Sequence, residues 1–124
     1  MERTTAQRKA IHSVLGEAGR PMSPPEIFDA ARAMAPGLGM ATVYRTIKRM
    51  LDDGALSQVE LPGEAPRYER AGLDHHHHFR CNSCKKVFDL FGCENLFEKH
   101  TPKGFSLEGH EVYLFGRCES CATV

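Results

Sequence analysis

Two cysteine pairs of the form CxxC constrain this chain more than any other feature. They are Cys81 with Cys84 and Cys118 with Cys121, and they bracket the C-terminal part. The segment after Gly72 has about fifty residues, near the length below which a domain needs a disulfide or a metal to fold. Four thiolates form the closed tetrahedral site of structural zinc, so we predict one zinc ion that binds as this segment folds. Redox-active pairs and chance spacing are the alternatives.

The composition narrows the class of protein. The chain carries 16 basic and 16 acidic residues among 124, with a formal net charge of zero. Any nucleic-acid interface must therefore come from basic residues concentrated locally. No apolar run approaches the ~20 residues that span a bilayer, and the polar start from Met1 to Thr5 lacks the apolar stretch of a signal peptide. We expect a cytoplasmic protein without a membrane partner, in which reducing conditions keep the cysteines as thiols.

Four consecutive histidines, His75 to His78, stand just before the first cysteine pair. Alternate side chains of an extended segment point to opposite faces, so His75 and His77 face one way. His76 and His78 face the other way, and one short strand thus offers imidazoles to two separate metal sites. Further candidate ligands are Glu69, Asp89, Cys93, Glu94 and His110. A histidine-rich surface loop that binds no metal is the alternative.

The sequence before Gly72 begins with two amphipathic helices. The first is predicted to begin at an N-cap on Thr4 or Thr5 and to end at Gly19. Its apolar stripe consists of Ala10, Ile11, Val14, Leu15 and Ala18. The second begins with a capping box, formed by Ser23 and Glu26, and is ended by Pro36 and Gly37. Its apolar stripe consists of Ile27, Ala30, Ala31 and Met34.

A third helix and a hairpin follow. The helix is predicted from about Met40 to Asp53, and its apolar face consists of Val43, Ile47, Met50 and Leu51. Residues 56–61 and 67–70 are predicted as two strands around a turn at Pro62. Three helices and a hairpin are the order of a winged helix-turn-helix, whose last helix enters the major groove of DNA.

The other face of the third helix is rich in cations. Its candidate DNA-binding residues are Thr42, Tyr44, Arg45, Lys48 and Arg49. Tyr44 and Arg45 have the chemistry to contact a thymine methyl group and a guanine edge, whereas Lys and Thr side chains hold phosphates. A solvated helix surface without a partner is the alternative.

The rest of the C-terminal segment predicts a small sheet. A strand is expected at residues 87–90, a short helix at 94–100 and a long strand at 105–115. A long apolar strand in so small a domain leaves an exposed edge or face, which dimerisation would cover.

Taken together, these motifs resemble the ferric uptake regulator family along nearly the whole chain. The matching segments are ATVYR at 41–45, RYE at 67–69, HHHH at 75–78, GH at 109–110, YLFG at 113–116 and both CxxC pairs. The resemblance implies an α+β fold, with a winged-helix DNA-binding domain at 1–72 and a dimerisation and metal-binding domain at 73–124. It also implies a homodimeric repressor that binds palindromic AT-rich DNA when loaded with a divalent metal, and no enzymatic activity.

The resemblance also assigns ligands. A sensing site between the domains maps to Glu69, His76, His78 and Asp89. A second site maps to His75, His77, His110 and one of Cys93 and Glu94. Relatives often have a histidine just before the second helix, where this chain has Arg20 and Pro21. The uninterrupted run of histidines is similar to zinc-sensing members, so we expect zinc, with iron(II), manganese or peroxide sensing as alternatives.

Two functions outside this family fit parts of the sequence. A zinc hydrolase would use the histidines around an open metal position, but no motif provides a general base. A zinc-ribbon adaptor would bind protein partners only, and would leave the cationic third helix unexplained.

Overall fold

The structure, a computed structural model, describes residues 2–92 and 97–122. Its contacts divide the chain into two compact units, Met1–Gly72 and Leu73–Val124. Helices dominate the first unit and a small sheet the second, so the predicted α+β class is confirmed. Within the described residues, no helix is both long and apolar enough to cross a membrane.

Three helices enclose the core of the first unit: α1 (Glu2–Glu17), α2 (Pro24–Arg32) and α3 (Met40–Asp52). Each turns one apolar face inward, because apolar residues recur at helical spacing. The side chains they bury together include Ile11, Leu15, Ile27, Ala31, Val43 and Ile47. This packing fixes which face of α3 points to solvent.

The first helix begins earlier than predicted. It begins at Glu2, so Thr4 and Thr5 lie within its first turns and the predicted N-cap is wrong. The apolar stripe fixes the rotation of a helix about its axis but not the residue at which it begins. Its end agrees with the prediction, since Gly19 has a φ of 64°, the left-handed conformation that follows many helices.

The capping box of α2 is confirmed. The Ser23 hydroxyl accepts from the Glu26 amide at 3.3 Å, and the Glu26 carboxylate accepts from the Ser23 amide at 2.9 Å. The predicted stripe is partly wrong, because Ala30 and Met34 are exposed. The helix ends at Arg32, before Met34, so only Ile27 and Ala31 of that stripe reach the core.

An antiparallel hairpin completes the first unit. Strand β1 (Leu56–Val59) pairs with β2 (Arg67–Arg70), with Gln58 opposite Tyr68. Tyr68 also exchanges two backbone hydrogen bonds of 2.8 Å with Met22, just before α2. The wing is therefore fastened to the helical core, as in a winged helix-turn-helix.

Arg67 links the wing to α2 through a nearly buried ion-pair network. Its guanidinium lies 3.0 Å from Glu64 and 3.8 Å from Glu26, and Glu26 also pairs with Arg20 at 2.9 Å. Only 9% of the Arg67 side chain is exposed. Removing one partner of such a network leaves the opposite charges without compensation.

We expect Arg67→Met to lower the free energy of unfolding by about 2 kcal/mol, since the carboxylates it leaves behind are only partly solvated. The control is Lys48→Met, which removes a well-exposed cation 3.6 Å from Asp52 and should cost less than about 0.5 kcal/mol. Urea unfolding, followed by helical circular dichroism, measures both. Equal decreases in the free energy of unfolding for the two variants would contradict a stabilising role for the buried ion-pair network.

The second unit is a three-stranded sheet. Strands β3 (His77–Cys81), β4 (Val87–Leu90) and β5 (Tyr113–Gly116) lie in the order β4-β3-β5, and a short helix α4 (Glu119–Ala122) follows. β3 is antiparallel to β4 and parallel to β5, with Cys81 opposite Gly116. A Cβ atom on Gly116 would come within 3.1 Å of the Phe79 ring, so glycine allows this close packing.

Two predictions for the second unit need correction. The strand predicted at 105–115 is too long, because only Tyr113–Gly116 pairs in the described sheet. β3 offers just five residues to pair with, and the chain before Tyr113 has no partner strand in the described sheet. Of the helix predicted at 94–100, residues 94–96 lie outside the described residues, and Glu98–His100 form one 3-10 turn.

Candidate metal centres and the recognition helix

The two CxxC pairs meet at one end of the sheet. Cys81 ends β3, and Cys118 follows β5 by two residues, so the parallel pairing brings both knuckles together. One sulfur atom from each of the four cysteines lies within 4.8 Å of the others, and Cys84 and Cys118 are 3.8 Å apart. Zinc–sulfur bonds of ~2.3 Å in a tetrahedron place sulfurs ~3.8 Å apart, whereas a disulfide needs ~2.05 Å. The spacing fits a metal and not a disulfide.

The electrostatics of this cluster also fit a cation. Backbone amides of Cys84 and Cys118 lower the pKa of the Cys81 thiol to about 5, and the Cys84 amide lies 3.4 Å from its sulfur. Hydrogen bonds with the sulfur atoms of Cys118 and Cys81 raise the pKa of the Cys121 thiol to about 12, because they favour its protonated form. Four thiolates at this distance repel one another unless a divalent cation neutralises them.

Three imidazoles meet on one side of the histidine run. Nε2 of His75 lies 3.1 Å from Nε2 of His77 and 3.2 Å from Nε2 of His110. Nitrogens bound to tetrahedral zinc are ~3.3 Å apart. Burial lowers the pKa of His77, and the neighbouring His75 and His110 rings lower it further, which favours the neutral form that binds metals.

One hydrogen bond of His77 is incompatible with metal binding through Nε2. The Val112 amide donates to its Nδ1 at 3.3 Å. Ligation through Nε2 leaves the hydrogen on Nδ1, so this peptide has to turn before His77 can bind a metal through Nε2. The donor set fits an ion, and one contact has to open for it.

On the opposite side, His76 and His78 converge on one carboxylate. Their Nε2 atoms lie 3.2 Å and 3.4 Å from Oδ1 of Asp89, which β4 brings opposite His78. The carboxylate is 5% exposed and the two imidazoles 13% and 14%. Two nitrogens and one oxygen at this spacing fit three positions around zinc.

The groups that orient these histidines were not predicted from the sequence. Nδ1 of His76 lies 2.7 Å from the Asp74 carbonyl oxygen. A carbonyl only accepts, so Nδ1 carries the hydrogen and Nε2 keeps its lone pair for a metal. The Phe91 ring lies against His76, and the Phe97 ring against His110, with centroids 5.0 Å and 4.8 Å apart. No local pattern indicates these ring contacts, because Phe91 and Phe97 are far from His76 and His110 in the sequence.

The other predicted ligands lie outside the described residues of the second unit. Glu69 belongs to β2 of the first unit and is 5% exposed. Cys93 and Glu94 lie outside the described residues. The predicted sites therefore rest on six residues of the second unit that the structure brings together: His75, His77 and His110 on one side, and His76, His78 and Asp89 on the other.

The predicted DNA-contact residues lie on the outer face of α3. Tyr44, Arg45, Lys48 and Arg49 are exposed and Thr42 is half-buried. The Arg45 guanidinium donates to the Thr42 hydroxyl at 3.1 Å. Burial raises the pKa of Tyr68 on β2, and Tyr44 and Glu60 raise it further, which keeps this phenol neutral beside α3.

A sequence profile described as the ferric uptake regulator family matches residues 2–115. The match spans the winged helix, the histidine run and the first cysteine pair. The chain belongs to the ferric uptake regulator family. The assignment to metal-responsive transcription regulators, which the sequence motifs predicted, is thereby confirmed at the level of the family.

Known relatives agree with this membership. The zinc uptake regulation protein of Mycobacterium tuberculosis is 32% identical over 122 residues, covering 96% of this chain and 94% of that protein. A structure of a zinc-bound manganese uptake regulator superposes with a TM-score of 0.83 at 25% identity, over 90% of this chain and 87% of the other. The Helicobacter pylori ferric uptake regulator, described as having three functional metal-binding sites, gives a TM-score of 0.65 at 27% identity, over 94% and 79%.

For this member of the ferric uptake regulator family, we expect Cys118→Ser to remove one zinc ion per chain and to unfold the second unit, because serine stays protonated where a thiolate is needed. Helices α1 to α3 should persist. The control is Ser83→Ala, which changes an exposed residue between two ligands. Native mass spectrometry counts the zinc, and hydrogen exchange reports on β3 and β5. If the Cys118→Ser variant kept its full zinc content and its protection from hydrogen exchange, the four-cysteine site would be refuted.

Proposed function

We propose that this chain is a homodimeric, zinc-dependent repressor that binds palindromic AT-rich DNA in the cytoplasm and catalyses no reaction. The observation that carries the proposal is the opposite facing of alternate histidines, which gives one segment two separate ligand clusters. The cysteine cluster fits a structural ion, and the cluster around Asp89 fits the ion that is sensed. The exposed cationic face of α3 supplies the surface for DNA.

The sensing step requires a fourth ligand, for which we propose Glu69. It precedes His76 by seven residues, so the chain itself limits their separation to roughly 25 Å. A bound zinc ion supplies positive charge and four coordination positions. By ligating it together with His76, His78 and Asp89, Glu69 would fasten β2, and hence the winged helix, to the second unit. Without that ligation, residues 70–74 act as a linker.

The regulatory effect is a shift between arrangements of the two units. Fastening the linker favours the arrangement in which both winged helices of a dimer match the spacing of a palindrome. To shift most molecules into this arrangement, the metal must bind it more tightly than the other arrangements by roughly 5 kcal/mol. A few metal–ligand bonds can supply this difference. Tyr44 and Arg45 would then read bases, while Thr42, Lys48 and Arg49 contact phosphates.

Zinc is favoured over manganese by the chemistry of the donors, and over iron(II) by the likeness of the uninterrupted histidine run to zinc-sensing relatives. The cluster of His75, His77 and His110 offers three nitrogen donors, and the other cluster offers two nitrogens and a carboxylate at tetrahedral spacing. Manganese prefers mostly oxygen ligands in octahedral sites. Either Cys93 or Glu94 would supply the fourth ligand of the cluster with His110.

The dimer is supported by apolar side chains that the second unit leaves at its surface. Phe105 is 71% exposed, and Leu114 and Phe115 on β5 are 47% and 49% exposed. β5 is also an edge strand of the sheet. Edges and apolar patches of this kind are normally covered, and a second copy of the chain would cover both.

We expect buffered zinc to increase affinity for an AT-rich palindrome selected with the protein from random duplexes, and iron(II) and manganese to do so less. His78→Ala should raise the zinc concentration required by about tenfold or more while leaving the structural zinc in place. The control is His100→Ala, an exposed histidine outside both clusters. Fluorescence anisotropy measures binding. A larger increase in DNA affinity with iron(II) or manganese would refute the assignment of zinc. DNA affinity that no metal changes would refute regulation by metal and would favour a protein-binding adaptor.

Arg45→Ala should weaken binding to the selected palindrome about 10- to 100-fold, since one bidentate arginine–guanine contact contributes about 1–3 kcal/mol. Binding to a scrambled duplex should change far less. Lys48→Ala should instead weaken both duplexes by a similar factor, as a phosphate contact does. Equal affinity of Arg45→Ala and the parent protein for the palindrome would remove Arg45 from the interface.

A further inference from the structure

A cationic groove lies between α1 and α3 in the first unit. It has a volume of about 390 Å³. Arg8, Lys9 and His12 border it from α1, and Thr46 and Arg49 border it from α3. None of the α1 residues belongs to the predicted DNA-contact set, which lies wholly on α3.

The rotation of α1 explains why its cations face this groove. Ala10, Ile11 and Leu15 are buried in the core, which turns the opposite stripe of the helix outward. Arg8 and His12 are four residues apart, so they lie one above the other on a helix. The stripe from Thr5 to His12 extends about 10 Å along the helix axis.

The charge of the groove is strongly unbalanced. Arg8, Lys9 and Arg49 contribute three cations to its lining, against one carboxylate, Asp53. His12 adds a ring N–H donor in its neutral form. In a chain whose formal net charge is zero, this is a local concentration of positive charge.

We infer that this groove binds a phosphate group of the DNA backbone next to the bases read by α3. The inference rests on the proposed DNA-binding function. Arg49 belongs both to the groove and to the stripe of α3 that contains Thr42 and Arg45, at helical spacing. The groove therefore continues directly into the reading face, as expected for one surface that contacts a single duplex.

The phosphate contact sets affinity and register rather than sequence preference. Contacts to phosphates are shared by all duplexes, whereas base edges distinguish them. Each phosphate that a cation neutralises releases a condensed counterion, so binding weakens as salt rises. Arg8 is thus a positioning residue, which keeps α3 in the major groove of the DNA.

The test compares Arg8→Gln with Arg32→Gln, which removes an exposed cation at the end of α2, away from the groove. Glutamine and arginine have similar helix propensities, so α1 should stay folded, and circular dichroism checks this. Affinities of the zinc-loaded protein are measured against salt for the selected palindrome and for a scrambled duplex of the same composition.

We expect Arg8→Gln to lower the slope of log affinity against log salt by roughly one unit per bound protomer, and to weaken both duplexes about fivefold per protomer at physiological salt. Arg32→Gln should leave the slope unchanged. An unchanged slope for Arg8→Gln, or a loss confined to the palindrome, would overturn the inference while leaving DNA binding intact.

Two further outcomes would separate the causes of failure. If the parent protein bound neither duplex at any zinc concentration, the proposed function would fail, and the inference with it. A titration with inorganic phosphate alone, followed by NMR signals of the Arg8 guanidinium, tests for a free-anion site. Saturable binding of phosphate below the millimolar range would assign the groove to a small anion instead of DNA.

Discussion

Four sulfur atoms within 4.8 Å of one another hold the second unit together only if their charge is neutralised. Few other interactions are available to it: among the described residues, the buried apolar side chains lie almost entirely in the first unit, and the second contributes only Cys81 and Val87. Apolar burial supplies about 25 cal/mol per Å². Two side chains cannot offset the conformational entropy of ordering some fifty residues. A cation at this cluster, as proposed, would then be the main source of stability for this unit.

The position of the cysteine cluster has a consequence for the histidines. Cys81 ends β3, and the cluster fastens both β3 and the chain after β5. The histidine run enters the same strand from its other end, at His77. An ion at the cysteines therefore fixes the strand whose alternation separates the two histidine clusters. The proposed structural and sensing sites share this strand, so loss of the first would abolish the second.

Local chemistry made much of this predictable from the sequence. The capping box at Ser23, the buried face of α3 and the facing of alternate histidines depend on residues close together in the chain, and the structure has all three. The failures concern properties that local patterns do not contain. The strand predicted at 105–115 needed a partner strand, and only Tyr113–Gly116 has one. The beginning of α1 and the exposure of Met34 after α2 depend on the first and last residues of a helix. The periodicity of apolar residues does not determine these.

The zero net charge of the chain argued against a DNA-binding surface until the positions of the carboxylates were known. Glu26 and Glu64 are engaged with Arg67, beneath the wing, and Asp89 lies between two histidines. The charges of these acids are thus already engaged by nearby side chains. On α3, the Lys48 ammonium lies 3.6 Å from the Asp52 carboxylate, and that pair is exposed. Electrostatic potential falls off within a Debye length of about 8 Å at physiological salt, so a duplex would experience the nearby cations and not the sum over the chain. The positions of the paired acidic residues, and not their number, determine whether a protein without net charge can bind a polyanion.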